Sequence, residues 1–217
     1  MTNAPTARDL ADMPSRMKGR PIDHRGFPVP WFVTNKTPDG LWDFRVVEAS
    51  RKAEAIRNRK CWVTGETLGR AVAFVVGPMC IINRVSSDPP VIPEIGEWSA
   101  RICPFLSRPL AKRPDYDGQH ATPGLMAPDN PGLCAVWVTR NHTYNRNKLF
   151  DIGDPIRVTW WRKGIEVTGD PEAQAIYEAR AHKLRAMALA EGADASAYFD
   201  RLKLRANPFA PVVVVDQ

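Results

Sequence analysis

The stretch CWVTG, residues 61–65, has the form of a zinc-binding turn that keeps one of its ligands. A zinc knuckle supplies two thiolates from one glycine-containing turn, and here Thr64 stands where the partner of Cys61 belongs. A treble-clef site takes two further ligands, one turn apart, from the start of the following helix. Ile92 and Ile95 occupy those two positions. The spacing is therefore that of a metal site, whereas three of the four side chains cannot bind metal.

The chain resembles a family of hypothetical proteins from bacteria and their phages for which no activity is established. The shared segments lie within residues 21–164 and are PIDHRGFPVPWFV, WDFR, RKCWVTGETLG, AFVVGPMCIINRVSSDPP, EWSARICPFL, VWVTR and DPIRVTWWRKG. The resemblance implies cysteine in place of Thr64, histidine in place of Ile92 and cysteine in place of Ile95. We therefore interpret Cys61, Thr64, Ile92 and Ile95 as a former metal site filled by an apolar plug, and expect no cofactor.

Cys80 is a second residue that could do chemistry, because it follows a strand-like apolar run and thiols displayed at strand ends can be reactive. A cysteine nucleophile needs a histidine base within hydrogen-bond reach, and the sequence does not place one there. A small packed side chain is the alternative. A rearranged zinc site that combines Cys61 with Cys80 or Cys103 is the rival to the zinc-free interpretation, but its spacing matches no ligand pattern.

A polar group between apolar segments is the first candidate binding site. It comprises Asn83, Arg84 and Asp88, with two serines between them, and could line a ligand cleft. Alternatively, the serines and Asp88 bond to loop backbone groups ahead of two prolines.

The second candidate is WVTRNHTYNRNK, which interleaves cationic and aromatic side chains after Trp137. Such interleaving is typical of surfaces that bind nucleic acid by charge and stacking, although an ordinary hairpin loop has a similar composition. The candidate residues are Arg140, His142, Tyr144, Arg146 and Lys148.

Composition limits the class of protein. The 217 residues carry 30 Lys and Arg against 24 Asp and Glu, a net charge of +6 that permits an acidic partner such as nucleic acid. The first 20 residues lack the apolar segment of a secretory signal, and no apolar run approaches the ~18 residues that span a bilayer. We therefore predict a cytoplasmic protein with reduced cysteines and no membrane partner. Sequence motifs for dinucleotide, nucleoside-triphosphate, serine-hydrolase and zincin chemistry are missing.

Hydrophobic periodicity predicts an α+β fold with short antiparallel strands, a treble-clef-like knuckle and a C-terminal helical hairpin. We expect a flexible arm over residues 1–20, a core domain over 21–164, and the hairpin and tail over 165–217. Helices are predicted in EASRKAEAIRNRK, in EIGEWSARICPFL and from Pro171 with Asp170 as its N-cap, the last ending at Gly192 before a second helix from about Asp194. Strands are predicted in RAVAFVV, GLCAVWVTR and PIRVTWW, and a long loop over residues 107–131.

Two functions from different classes are consistent with these patterns. The first is a non-catalytic binding or accessory protein that contacts nucleic acid or a host protein through a basic surface. The alternative is an enzyme of unknown class with a polar cleft near Asn83, Arg84 and Asp88, joined by His142. An enzyme requires these groups to converge in one concave pocket, whereas a binding module requires an exposed basic face.

Overall fold

In the computed structural model, which describes residues 4–44, 47–106 and 132–190, the chain forms a mixed α and β fold with antiparallel sheets. The predicted α+β class is confirmed. The loop predicted over residues 107–131, and the second helix predicted from Asp194, lie outside the described residues. No helix among the described residues combines the length and apolar character needed to cross a bilayer.

The described helices vary widely in length. They are α1 (Ala7–Ala11), a single 3₁₀ turn (Ser15–Met17), α2 (Ala49–Arg57), α3 (Pro78–Asn83), α4 (Pro93–Ile102) and α5 (Pro171–Ala190). The strands are β1 (Val72–Val76), β2 (Val85–Ser86), β3 (Cys134–Thr139), β4 (His142–Tyr144), β5 (Phe150–Ile152), β6 (Pro155–Arg162) and β7 (Ile165–Glu166). They form one sheet in the order β1-β3-β6-β7 and a smaller one in the order β2-β5-β4.

The larger sheet is covered on both faces, and every residue of its strand β3 is buried. On one face α4 approaches so closely that a Cβ added to Gly96 would lie 3.1 Å from Val136. On the other face Phe74 of β1 meets Phe150 of the smaller sheet, with ring centroids 5.8 Å apart. Val136 pairs with Val75, and Val75 faces the opposite side of the sheet from its neighbour Phe74. The smaller sheet and α4 therefore lie on opposite sides of the larger sheet.

Periodicity and capping account for the elements that the sequence predicts. α2, β1 and β3 form within the segments expected of them, whereas α4 begins one residue before its segment, at Pro93, and β6 ends one residue after its own, at Arg162. α5 begins at Pro171, where the Asp170 carboxylate accepts the N–H of Glu172 at 2.7 Å. Tyr177 of α5 packs edge-on against Trp160 of β6, at 5.6 Å between centroids. Ala173 of α5 is buried in the same hydrophobic cluster as Trp160.

Several short elements are not predicted from the sequence, among them α3, β4 and β5. Pro78 does not simply end β1 but begins α3, because proline fits the first position of a helix. Cys80 accordingly lies half-buried inside α3 and not at a strand end. The segment expected to be a hairpin loop after β3 contains β4 and β5, whose three-residue strands are too short to show a period.

The N-terminal segment is packed where the sequence predicts a flexible arm. Thr6 and Asp9 form a reciprocal capping box at the start of α1. Met17 is only 1% exposed and belongs to the central hydrophobic cluster. The indole N–H of Trp98 donates to the Asp9 carbonyl at 3.3 Å. The low overall hydrophobicity of the segment gives no indication of the buried Met17 or of the backbone contact to α4.

Met17→Ala is expected to lower the melting temperature by roughly 5–15 °C, because truncating a buried methionine costs about 2–5 kcal/mol. Leu10→Ala is the matched control, since Leu10 is 37% exposed and should change the melting temperature little. Thermal unfolding followed by circular dichroism measures both. Equal melting temperatures for Met17→Ala and the wild type would show that the segment is not docked.

Candidate functional site

The knuckle turn is closed by its own backbone. The Gly65 N–H donates to the Cys61 carbonyl at 2.8 Å, and the Cys61 N–H donates to the Glu66 carbonyl at 2.7 Å. Gly65 has a φ of +78°, and a Cβ at this position would lie 2.5 Å from the Trp31 ring. The Thr64 hydroxyl accepts the Glu66 N–H at 3.3 Å. Thr64 thus bonds within the turn, at the position where a zinc knuckle holds its second thiolate.

The start of α4 packs against this turn. Ile92 is the N-cap of α4, and its backbone N–H donates to the Cys61 sulfur at 3.4 Å. Ile95, three residues on, is fully buried in the same hydrophobic cluster as Cys61. Val63 and Ile92 are partly buried and pack on that cluster. The start of α4 therefore contacts the turn at Cys61, and Ile95 lies in the same buried apolar cluster.

The described residues offer no alternative metal site. Among them there is no group of three or more His, Cys, Asp and Glu side chains arranged to hold an ion. All four cysteines are free thiols. Cys103 and Cys134 lie close to one another, and burial, followed by the charge of Cys103, raises the pKa of Cys134 to about 12. Such a thiol is protonated at neutral pH, which makes it a poor metal ligand.

A cleft of about 390 Å³ lies between α3 and the smaller sheet. It brings together Asn83, Arg84 and His142 from the two candidate segments. Asp88 is not among the lining residues; it is exposed in the loop after β2. The Ser86 hydroxyl accepts the Asp88 N–H at 3.1 Å and donates to its carbonyl at 3.0 Å. Ser86 thus bonds to backbone groups of the loop, which is the alternative role considered for the serines in the sequence.

Pairing between β2 and β5 creates the cleft. Arg84 immediately precedes β2, and its carbonyl accepts the Ile152 N–H at 2.8 Å. The residues that the sequence analysis misses lie on the β5 side or next to His142, and they are Asn141, Thr143, Asp151, Ile152, Gly153 and Asp154. Their signal in the sequence is a high density of Asn and Asp, which is equally typical of turns.

Arg84 is the buried charge of the cleft, at 8% exposure. It ends α3 in the left-handed conformation, with a φ of +56°. Its guanidinium lies 4.3 Å from the centre of the Trp137 ring and donates to the Gly153 carbonyl at 3.5 Å. The Asp154 carboxylate, at 3.7 Å, is an exposed ion-pair partner. Stacking and hydrogen bonding together fix the guanidinium in the wall of the cleft.

His142 forms the opposite wall. Its ring contacts Phe74 edge-on at 5.7 Å, and its Nδ1 is buried without a hydrogen-bond partner in the described part of the chain. Burial, followed by repulsion from Arg59, lowers the pKa of His142 below its ordinary value. The imidazole is therefore neutral at pH 7.

The hairpin between β4 and β5 displays the other candidate residues at the surface. Tyr144, Arg146 and Lys148 are exposed around its tip, and Arg140 is exposed at its base. Asn145 shapes the tip, because its side-chain oxygen accepts the N–H groups of two loop residues, Asn147 at 3.0 Å and Leu149 at 3.1 Å. Tyr144 rests on Phe150 at 4.9 Å and remains 40% exposed.

Comparisons of this chain with known proteins find no match. They cover family models, curated proteins and solved structures.

A basic face, defined as Lys52, Arg59, Arg146 and Lys148, spans α2, the knuckle and the hairpin. Burial lowers the pKa of Lys52, Asp88 partly opposes this effect, and Lys148 lowers the pKa further. Arg59 similarly acts on His142 of β4. These like charges come from segments about ninety residues apart in the sequence. Arg59, Arg146 and Lys148 form no ion pairs within the described residues.

Proposed function

We propose that this protein is a non-catalytic binding protein that contacts nucleic acid through the basic face. Two proximities across the fold carry the proposal: Lys148 of the hairpin acts on Lys52 of α2, and Arg59 acts on His142 of β4. Arg59, Arg146 and Lys148 are also exposed and form no ion pair within the described chain. Like charges brought together by folding repel one another and cost stability. A polyanion that releases counterions on binding relieves that repulsion and gains affinity from it.

The exposed Tyr144 supports nucleic acid over a purely acidic protein partner. Its ring packs on Phe150 and remains partly exposed, and Arg146 follows two residues later in the sequence. Aromatic rings displayed among cationic side chains stack on bases without regard to sequence, at about 1–3 kcal/mol per base. The sequence contains no known base-reading motif, so the proposed binding at the basic face is electrostatic and tolerant of sequence.

Convergence of Asn83, Arg84 and His142 in one cleft favours a second candidate function, an enzyme of unknown class. The described lining contains no cysteine or serine, and its hydroxyl belongs to Thr143, which donates to Asp151 at 3.4 Å. An activated nucleophile would need a base at shorter range. Chemical change in a bound strand, followed by denaturing electrophoresis, would favour the enzyme over the binding protein.

Arg59→Ala combined with Arg146→Ala is expected to weaken binding to a mixed-sequence single strand. Each lost phosphate contact removes about 0.7 from the slope of log affinity against log salt, so the slope should fall by about 1.4. Fluorescence anisotropy at several salt concentrations measures both the affinity and the slope. Arg8→Ala is the control, because Arg8 is an exposed arginine on α1, and its slope should match the wild type. Undetectable wild-type binding at low salt would contradict the proposed function.

A further inference from the structure

We propose that the cleft holds one unpaired base of a single-stranded nucleic acid whose phosphates lie on the basic face. This inference rests on the proposed function and assigns its substrate class. The cleft and the face adjoin, because His142 lines the cleft and also lies close enough to Arg59 for the two to interact.

The charge of the cleft excludes a phosphate as its occupant. Its lining carries the Arg84 guanidinium together with the carboxylates of Asp151 and Asp154, and the His142 ring is neutral. One positive and two negative groups leave the cleft without the excess positive charge of the neighbouring face. A phosphate would therefore be repelled from the cleft and attracted to the face, whereas a neutral base is free to enter the cleft.

The hydrogen-bonding groups of the cleft suit the edge of a base. Asn83 and Asn141 each present an amide donor and an amide acceptor, and neither side chain hydrogen-bonds to the described part of the chain. Side-chain amides can pair with a base through two hydrogen bonds at once. Binding a base would satisfy amides that folding leaves open to solvent.

The walls of the cleft are set before any ligand arrives. The Trp137 indole donates to the Gly153 carbonyl at 3.0 Å, and the Gly153 N–H donates to the Asn141 carbonyl at 2.8 Å. A Cβ on Gly153 would lie 2.4 Å from that Asn141 oxygen, so the two segments are held in close contact. At about 390 Å³ the cleft is near the lower end of small-molecule sites and has room for one extruded base.

The test compares a short mixed-sequence DNA strand, its duplex, and the same strand with abasic sites throughout. We expect the strand to bind about tenfold more tightly than either competitor, in line with the contribution of a single recognised base. Asn83→Ala with Asn141→Ala should reduce that preference to the part that stacking on Tyr144 supplies, and should leave both the duplex affinity and the salt slope unchanged. Asn147→Ala removes an amide from the same hairpin outside the cleft and should keep the preference.

The two proposals fail in different ways. Equal affinity for strand, duplex and abasic strand, or an unaltered preference in the Asn83 and Asn141 double variant, overturns the base-binding cleft. If Arg59→Ala with Arg146→Ala still weakens all three ligands, the proposed function stands without the cleft. If that variant weakens none of them, or if no ligand binds at all, the proposed function fails and the inference fails with it.

Discussion

Ile95→Ala is expected to lower the free energy of unfolding by about 2–5 kcal/mol, the range for truncating a buried isoleucine. Ile95 is 0% exposed and lies in the cluster that joins the knuckle turn to the first turn of α4. The Ile92 N–H at the start of the helix donates to the Cys61 sulfur of the turn, so the two elements are directly joined. A cavity at this position would therefore loosen both elements. Urea unfolding at equilibrium measures the change.

Ile165→Ala is the matched control for this variant. Ile165 lies on the edge strand β7 and is 66% exposed, so the same truncation should change stability by less than about 0.5 kcal/mol. A loss below about 1 kcal/mol for Ile95→Ala would contradict the apolar plug, because a residue that fills the former metal position must be buried.

The sequence predicts those elements whose signal is local. Asp170 and Pro171 specify the start of α5 through a cap and a proline at the first helical position. β1 and β3 read as buried strands because both faces of the larger sheet are covered. Cys61 and Thr64 belong to one turn and Ile92 and Ile95 to the first turn of one helix, which is the local spacing that the interpretation of a former metal site requires.

The candidate cleft could be predicted only in part. Asn83 and Arg84 stand out in the sequence as a polar pair. Their proximity to His142 depends on the pairing of β2 with β5, in which Val85 lies opposite Asp151. Strands of two and three residues are too short to be predicted from a sequence pattern. Composition misleads for the N-terminal arm in the same manner, because one buried Met17 outweighs many polar neighbours. Long-range pairing and single anchoring residues are therefore what the sequence patterns miss.

Restoring the ligands implied by the sequence resemblance should restore metal binding. We expect the combined variant Thr64→Cys, Ile92→His and Ile95→Cys to take up one equivalent of zinc. The expectation rests on the contact from the Ile92 N–H to the Cys61 sulfur and on the N-cap and N3 positions of Ile92 and Ile95 in α4. That N–H would become a supporting contact to a zinc-bound thiolate.

Stability in the combined variant should depend on the metal. Structural zinc contributes on the order of 10 kcal/mol in small domains, so a chelator should sharply lower the melting temperature of the loaded variant. If an apolar plug fills this position in the wild type, the wild type should be insensitive to the same chelator. Atomic absorption gives the zinc content, and thermal unfolding with and without chelator gives the stability.

Ile92→His alone separates metal binding from the effect of the substitution itself. The lone imidazole would be partly buried among apolar groups without the partners that satisfy it, so this variant should be less stable than the wild type and bind no zinc. The combined variant should regain stability only when zinc is present, since four donors are needed to complete the tetrahedron. If the combined variant binds no zinc while remaining folded, the positions do not converge as ligands and the interpretation of a former metal site is wrong. If the wild type carries one equivalent of zinc, the apolar plug itself is wrong.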